Sequence, residues 1–300
     1  AFKNLGKVNS ITFKPGDKLM FKSGETWKGY FKLRGSGSQD KPIVIESYSS
    51  GDKPKIDGNG YQAAVFIENQ EYVNISGLDL TNEASHKNSN GSVKLMNQSS
   101  RSGEDERFGL LVLRHGSSNI NDIKLDDIKI SEIYPTPSNS DNNHQGYGIR
   151  FESLNDDSVL NYYDGIEIEN LDISNTGHYG IHIVNRMSGA QPDYYHRNIV
   201  IKDSKFNNTG GSGIVLARCK DVLVENSEFK GSGSGNDNRM WNRGSSLWTY
   251  TCNDTVIQNN LFEDVYGPAD SYGAHIDWGC ERVVIPVSYT HLTLPTICSV

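Results

Sequence analysis

The chain has 300 residues, enough for one large core or two ordinary domains, and its 30 glycines, 9 prolines and abundant Asn, Asp and Ser describe a turn-rich β protein. A net charge of −8 argues against nucleic acid and anionic membranes as partners. No apolar run approaches the ~18 residues that a membrane span needs.

Taken in chain order, residues 1–59 read as an N-terminal cap with the first coils, residues 60–285 as a repeat, and residues 286–300 as a non-native tail. The chain begins abruptly at Ala1-Phe2-Lys3, already inside a folded segment. An export signal is therefore expected upstream, which would make the protein secreted, periplasmic or cell-surface.

The repeat decides the fold. The pattern apolar-x-[Asn/Asp/Gly]-x-x-apolar reads Ile75-x-Gly77-x-x-Leu80, Leu125-x-Asp127-x-x-Ile130 and Ile168-x-Asn170-x-x-Ile173. It continues as Ile201-x-Asp203-x-x-Phe206, Val224-x-Asn226-x-x-Phe229 and Ile257-x-Asn259-x-x-Phe262. A second pattern follows most centres: Gly109-Leu110-Leu111-Val112, Gly148-Ile149-Arg150-Phe151, Gly180-Ile181-His182-Ile183 and Gly213-Ile214-Val215-Leu216. Ser246-Leu247-Trp248-Thr249 and Gly273-Ala274-His275-Ile276 complete it. Two linked short-strand motifs in fixed order predict an all-β solenoid, a right-handed parallel β-helix of about seven coils with long loops, truncated at both ends. Ile75, Leu80, Ile130, Ile173, Ile183, Phe206, Phe229 and Phe262 should line its core.

Insertions near residues 81–108, 131–147, 230–245 and 263–272 enter the Gly-x-x-x strand, and others near 152–164 and 184–197 leave it. Long polar loops on both sides of one strand stack would wall a groove.

With Ile181 and Ile183 inward, His182 faces out, and its equivalents are Leu111, Arg150, Val215, Trp248 and His275. The next outward column holds Glu152, Val184, Ala217, Tyr250 and Asp277. At ~4.8 Å per coil, the coils from Arg150 to His275 span roughly 19 Å, about the length of a short oligosaccharide. Trp248 and Tyr250 offer flat apolar faces suited to a sugar ring, and Arg150, Glu152 and His182 offer polar contacts to substrate.

The densest chemistry is Asp270-Ser271-Tyr272-Gly273-Ala274-His275-Ile276-Asp277. Asp277 and Asp270 could serve as acid and base on a glycosidic bond, with His275 orienting one of them. Arg239 and Arg243, in the segment Arg239-Met240-Trp241-Asn242-Arg243, could clamp a substrate carboxylate or sulfate. The sequence marks no cofactor and no metal site; a calcium ion is admissible, but no motif indicates it.

Cys219, Cys252 and Cys280 recur at coil spacing and should form one stacked column, either of buried thiols or with a disulfide between coils. The last fifteen residues, Pro286 to Val300, break the repeat and carry none of its Asn or Gly punctuation.

Phe13-Lys14-Pro15-Gly16-Asp17, the run Phe21-Lys22-Ser23-Gly24-Glu25-Thr26-Trp27-Lys28-Gly29, Gly35-Ser36-Gly37, Pro42-Ile43-Val44-Ile45 and Lys53-Pro54-Lys55-Ile56-Asp57-Gly58 carry a family likeness. Together they resemble the N-terminal cap and first coils of bacterial right-handed parallel β-helix repeat proteins with the pectin-lyase-like fold. The resemblance covers residues 1–285 and implies the company of exported polysaccharide-degrading enzymes. It also implies that the strand after the Gly lines the substrate cleft. It does not carry a mechanism, because the polygalacturonase set of Asn-Thr-Asp, Asp-Asp and Gly-His-Gly is not assembled here, nor a pectate-lyase calcium cluster with its Arg.

Three functions remain open at this level. The first is a glycoside hydrolase with Asp277, Asp270 and His275. The second is a polysaccharide lyase acting on uronates through His182, Tyr250 or Arg243, with Arg150 neutralising the substrate carboxylate. The third is a non-catalytic glycan-binding or tailspike-like module. All three take polysaccharide as partner, and the complete protein is expected to be a monomer.

Overall fold

The residue that punctuates the repeat acts through its backbone. Gly77, Asp127, Asn170, Asp203, Asn226 and Asn259 all take φ between 52° and 67°, the left-handed region in which Gly, Asn and Asp are least penalised. Each turns the chain between two strands, so that the apolar residues flanking it both fall inside. Glu132, Asn175, Asn208, Gly231 and Asp264 repeat the conformation further along the coils. Side-chain amides then tie coil to coil: Asn170 donates to Asp126 at 2.8 Å and Asn175 to Glu132 at 2.6 Å.

The computed structural model describes residues 2–83, 106–116, 120–135, 144–154, 162–185 and 194–291. Among them, successive coils add one strand each to three all-parallel sheets of nine, nine and eight strands. The first sheet runs from Lys18–Lys22 to Glu281–Val284 and the second from Thr26–Lys28 to Tyr289–His291. The third runs from Phe31–Leu33 to Ala274–Ile276 and contains the Gly-x-x-x strands. This is a parallel β-helix, as the linked repeats require. Tyr289–His291, within the segment set aside as a tail, pairs with Leu261–Glu263, while residues 292–300 lie outside the described residues.

Stacking in register makes core positions identical from coil to coil. Ile173 lies opposite Phe206, Phe206 opposite Phe229, and Phe229 opposite Phe262. The Phe206 and Phe229 rings stack at 4.6 Å and 5°, and Phe229 meets Phe262 at 5.1 Å. Every core residue named from the sequence is at most 1% exposed. These rings also explain the glycines Gly180 and Gly213 that head two strands of the third sheet, as Ile130 and Ile173 do for Gly109 and Gly148. A Cβ on Gly180 would come within 2.5 Å of the Gly213 carbonyl oxygen and 2.9 Å of the Phe206 ring. Close approach, rather than an unusual φ, excludes a side chain there.

At the N-terminal end the short helix Leu5–Val8 buries Leu5 and Val8 on the core. Asn9 follows it and closes the outer strand edge, donating to the Tyr30 carbonyl at 2.9 Å and accepting from the Lys32 N–H at 2.8 Å. The cysteines stack as their spacing suggests. Cys219 and Cys252 are fully buried, Cys280 is half-buried, and all three are free thiols. Burial pushes the Cys252 thiol well up, with Cys219 adding to the effect. Cys298 lies outside the described residues.

One buried group in this interior titrates within an accessible range. His196 lies in register with Cys219, is fully buried, and accepts the Tyr163 backbone N–H at its Nδ1 (3.0 Å). Burial lowers its pKa from 6.5 to about 4; the Arg114 charge adds to this, and a backbone hydrogen bond to Val184 opposes it. The unfolded chain takes up this proton near 6.5 and the folded chain only near 4, so folding stability is lost as pH falls through that window. The loss should approach about 3 kcal/mol at the acid end. Urea unfolding at pH 7 and pH 4.5 should therefore show a smaller acid loss for His196→Gln than for the parent; equal losses would sink the assignment. Phe229→Ala, which opens a hole in the centre of the ring stack, should cost about 3–5 kcal/mol in the same assay at pH 7.

Candidate active site

The outward face of the third sheet follows the register read from the sequence. Leu111, Arg150, His182, Val215, Trp248 and His275 pair in turn along one column, and Leu113, Glu152, Val184, Ala217 and Tyr250 along the next. Accessibility divides these columns in two.

In the N-terminal half, Leu111 and Leu113 join Ala63, Phe66, Phe108, Tyr147 and Leu154 in an apolar cluster outside the coil. Arg150, Glu152 and His182 are 1%, 2% and 6% exposed. Arg150 and Glu152, expected as substrate contacts on an open groove wall, are thus inside the protein. A guanidinium can be buried only with compensation. Here Glu106 lies 3.3 Å and Glu152 3.7 Å away, and the Tyr147 and Phe108 rings lie 4.2 and 5.5 Å from the guanidinium carbon. Burial works to discharge Arg150, but Glu152, Tyr147 and Glu106 outweigh it and raise its pKa. His182 is held from the same side, with its Nδ1 3.2 Å from Nε and 3.1 Å from Nη2 of Arg150.

The C-terminal half stays open. A cleft of about 390 Å³ is lined by His178, Tyr179, His182, Val184, Asn185, Val215, Ala217, Arg218, Trp248 and Tyr250. Trp248 is half-buried and stacks on His275 at 5.2 Å and 12°, and Tyr272 meets His275 edge-on at 5.1 Å. The Trp248 indole N–H donates to Asp277 Oδ2 at 2.9 Å, and the Trp278 backbone N–H donates to Oδ1 at 2.7 Å. Asp270 turns the entering loop with φ 57°, and its carboxylate accepts two N–H groups of Arg243, from Nε at 2.8 Å and from Nη2. Trp248 and Tyr250 thus line the cleft, while His275 and Asp277 reach it through their contacts with Trp248.

The two arginines of the 231–246 loop are not open clamps. Arg239 is bound by Asp237 and by Glu83 at 2.9 Å and lies over the Tyr134 ring, which pins the loop to the coil body. Arg243 is tied to Asp270 and lies 5.4 Å from the Trp241 ring. The loop is anchored further by the Trp241 N–H on the Gly177 carbonyl (3.0 Å) and the Gly233 N–H on the Gly211 carbonyl (2.9 Å).

This anchoring creates a feature the sequence reading missed. Trp241 stacks on His178 at 4.4 Å and on His144 at 5.4 Å, and the two imidazoles meet Nδ1 to Nδ1 at 2.7 Å. Tyr147 stacks on His178 and His182, and Tyr179 packs edge-on against His178 and His182. A local signal existed: Tyr147 and Tyr179 each directly precede the glycine of the second pattern, and each has a histidine close upstream. Much of the insertions near 81–108, 131–147, 152–164 and 184–197 lies outside the described residues.

A larger hollow of about 580 Å³ runs past Glu25, Lys53, Lys55, Asp79, Asp127 and Lys129. Four of its charges pair, Lys53 with Asp127 at 2.7 Å and Lys55 with Asp79 at 3.4 Å, and its lining residues include no aromatic ring. It lacks a platform for a sugar. Among the described residues no group of three or more His, Cys, Asp or Glu side chains is arranged to hold a metal ion.

Comparison with known proteins places the fold. A search of curated proteins finds no match. Among solved structures, a lacto-N-biosidase from Eubacterium ramulus superposes with a TM-score of 0.75 at 18% identity, over 96% of this chain and 52% of the other. An alginate lyase from a Paenibacillus species superposes at 0.55 with 20% identity, over 87% of this chain and 73% of the other. The chain thus spans about half the length of the lacto-N-biosidase, and at these identities the likeness is one of fold. The right-handed β-helix region, as a family, matches residues 117–285, more than half of the sequence. The chain belongs to the right-handed β-helix family.

Proposed function

We propose that this protein binds polysaccharide in the cleft along the third sheet and hydrolyses it as a glycoside hydrolase, with Asp277 and Asp270 as the carboxyl pair. One observation carries the reading: Asp277 accepts the indole N–H of Trp248, so an acid group and an aromatic platform form one unit beside the cleft. A sugar stacked on Trp248 or Tyr250 would put its glycosidic oxygen near Asp277. In this reading Asp277 is the carboxyl nearest the platform and faces the leaving oxygen, and Asp270, held by the Arg243 guanidinium, is its base or nucleophile partner. His275, stacked under Trp248, fixes the tilt of the platform. Likeness to proteins named lacto-N-biosidase and alginate lyase agrees with a glycan substrate, and a polymeric glycan agrees with a secreted, periplasmic or cell-surface setting.

A second reading, β-elimination on a uronate polymer, draws on His178, Tyr179, His182 and Tyr250 in the same cleft, the residue types that remove a carbon-bound proton. Its intended carboxylate neutraliser, Arg150, is buried among Glu106 and Glu152 and cannot serve.

A polysaccharide panel separates the readings by product: new reducing ends without unsaturation for the hydrolase, unsaturated ends absorbing in the ultraviolet for the lyase, retention without cleavage for a binding module. On a substrate the parent hydrolyses, Asp277→Asn should lower turnover at least about a hundredfold with folding intact. Near-full activity in that variant would remove Asp277 from the mechanism. Trp248→Ala should act on binding instead, weakening it by about 1–3 kcal/mol if stacking here resembles that of other rings on aromatic side chains.

A further inference from the structure

Arg114 ends the strand Arg107–Arg114, at the corner where the chain leaves the third sheet for the first. Leu110 and Val112 of this strand lie in the core and Leu111 and Leu113 in the outer cluster, so alternation gives Arg114 an inward position. It is 0% exposed. Its Nη1 donates to the Gly116 carbonyl at 3.1 Å, while Nε and Nη2 reach no protein acceptor. Among the described residues no carboxylate pairs with it. Arg150, the other buried guanidinium described above, has Glu106 and Glu152 instead.

A buried guanidinium without a counter-charge is among the costliest groups a fold can hold. Loss of its proton is no remedy at neutral pH, because burial lowers the pKa of Arg114 only to about 10, with Tyr163 and Tyr162 opposing the shift. Its neighbours bring no negative charge. Burial pushes the Tyr163 hydroxyl well up, so it stays neutral, and it donates to the Val112 and Glu152 carbonyls at 3.0 and 3.2 Å. Opposite Arg114 in the next coil stands Ser153, 0% exposed, whose hydroxyl reaches no protein partner. The Nε–Nη2 edge is the fork with which a guanidinium grips an anion, and a hydroxyl one strand away adds a further donor.

We propose that Arg114 and Ser153 hold a compact monovalent anion of the chloride class in the interior corner between the third and first sheets. Neither residue lines the cleft, so a polymeric glycan and its substituents do not reach them, and a free ion of halide size does. The ion neutralises the guanidinium and ties together the ends of two adjacent strands. One of those strands carries Arg150 and Glu152, so the brace stands behind the buried layer of the cleft wall. Asn185, next in the same register, lines the cleft itself. The site is independent of what the cleft binds.

The test follows melting of the 300-residue chain while sodium gluconate, whose anion is too large to enter, is exchanged for sodium chloride or bromide at constant ionic strength. The melting temperature of the parent should rise by about 2–4 °C for each tenfold increase in halide above its Kd. Arg114→Met removes the charge and keeps an apolar stem in the corner, and its melting should not respond to the exchange. Ser153→Ala keeps the charge and should need about tenfold more halide for the same rise, the usual effect of one lost hydrogen bond. A parent that melts alike in halide and gluconate overturns the site, since water or a carboxylate of the chain then meets the charge. An equal rise in the parent and in Arg114→Met is a general salt effect and overturns it too. If Arg114→Met does not fold, anomalous scattering from bromide in crystals of the parent decides. A peak within hydrogen-bond reach of Nε and Nη2, together with the melting response, supports the site; no peak there overturns it. A peak without that response is an adventitious ion only, which also overturns it. Ser153→Ala melting as the parent does removes Ser153 from the site and with it the tie between the two strands.

Discussion

In-register parallel pairing between coils is the constraint on which the rest of this protein depends. Because each coil hydrogen-bonds to the next residue for residue, a side chain's nearest neighbours are its own equivalents about 4.8 Å above and below. A phenylalanine placed inward meets phenylalanine, as Phe206, Phe229 and Phe262 do. A turn residue in the left-handed region is followed by another in the next coil, from Asn170 to Asn259. The glycine column of the third sheet has the same origin, since a ring packed against one coil's turn leaves no room for a Cβ in that coil. Core, turns and site are all columns.

Stacking also sets a difficulty, because like placed on like is unfavourable for charge. The outward columns of the third sheet meet it by alternating chemistry along the stack. Leu111, Arg150, His182 and Val215 succeed one another, so the guanidinium has an apolar neighbour on one side and an imidazole, not a second cation of its own kind, on the other. Its counter-charges arrive laterally, Glu152 from the adjacent column and Glu106 from the segment leading into the preceding strand. The resulting layer, buried although it lies outside the coil, makes one wall of the cleft rigid.

The other end of the cleft is built differently. Trp248, His275, Tyr272 and Asp277 hold one another by ring contacts and the indole hydrogen bond to Asp277, and they keep partial exposure. The loop bearing Trp241 bridges the two regimes. Arg239 fastens it to Glu83 at the body of the helix, and Arg243 fastens it to Asp270 at the site. The arginines therefore couple loop placement to the carboxylate environment, which suits a cleft whose acid and platform must keep a fixed relation.

The sequence by itself determined the solenoid, its core and the register of the outward columns. The repeat has one dominant solution, in which alternation sends Ile181 and Ile183 in and His182 out, and stacking copies the choice from coil to coil. It also placed Asp277 with His275 and Trp248, since positions two apart on one strand and equivalent positions on adjacent strands are neighbours by construction. Only the tertiary structure decided which outward positions are wet. Burial of Arg150 and Glu152 depends on the rings of Phe108 and Tyr147, which share one register position ahead of the glycines, and on Glu106, which ends an insertion that follows no period. The His144–His178–Trp241 cluster joins three segments through loop anchoring, and the capture of Arg239 and Arg243 by Glu83, Asp237 and Asp270 arises in the same way. Periodicity encodes what repeats; contacts made by unique loops have no period, and they appear only when the chain has folded around them.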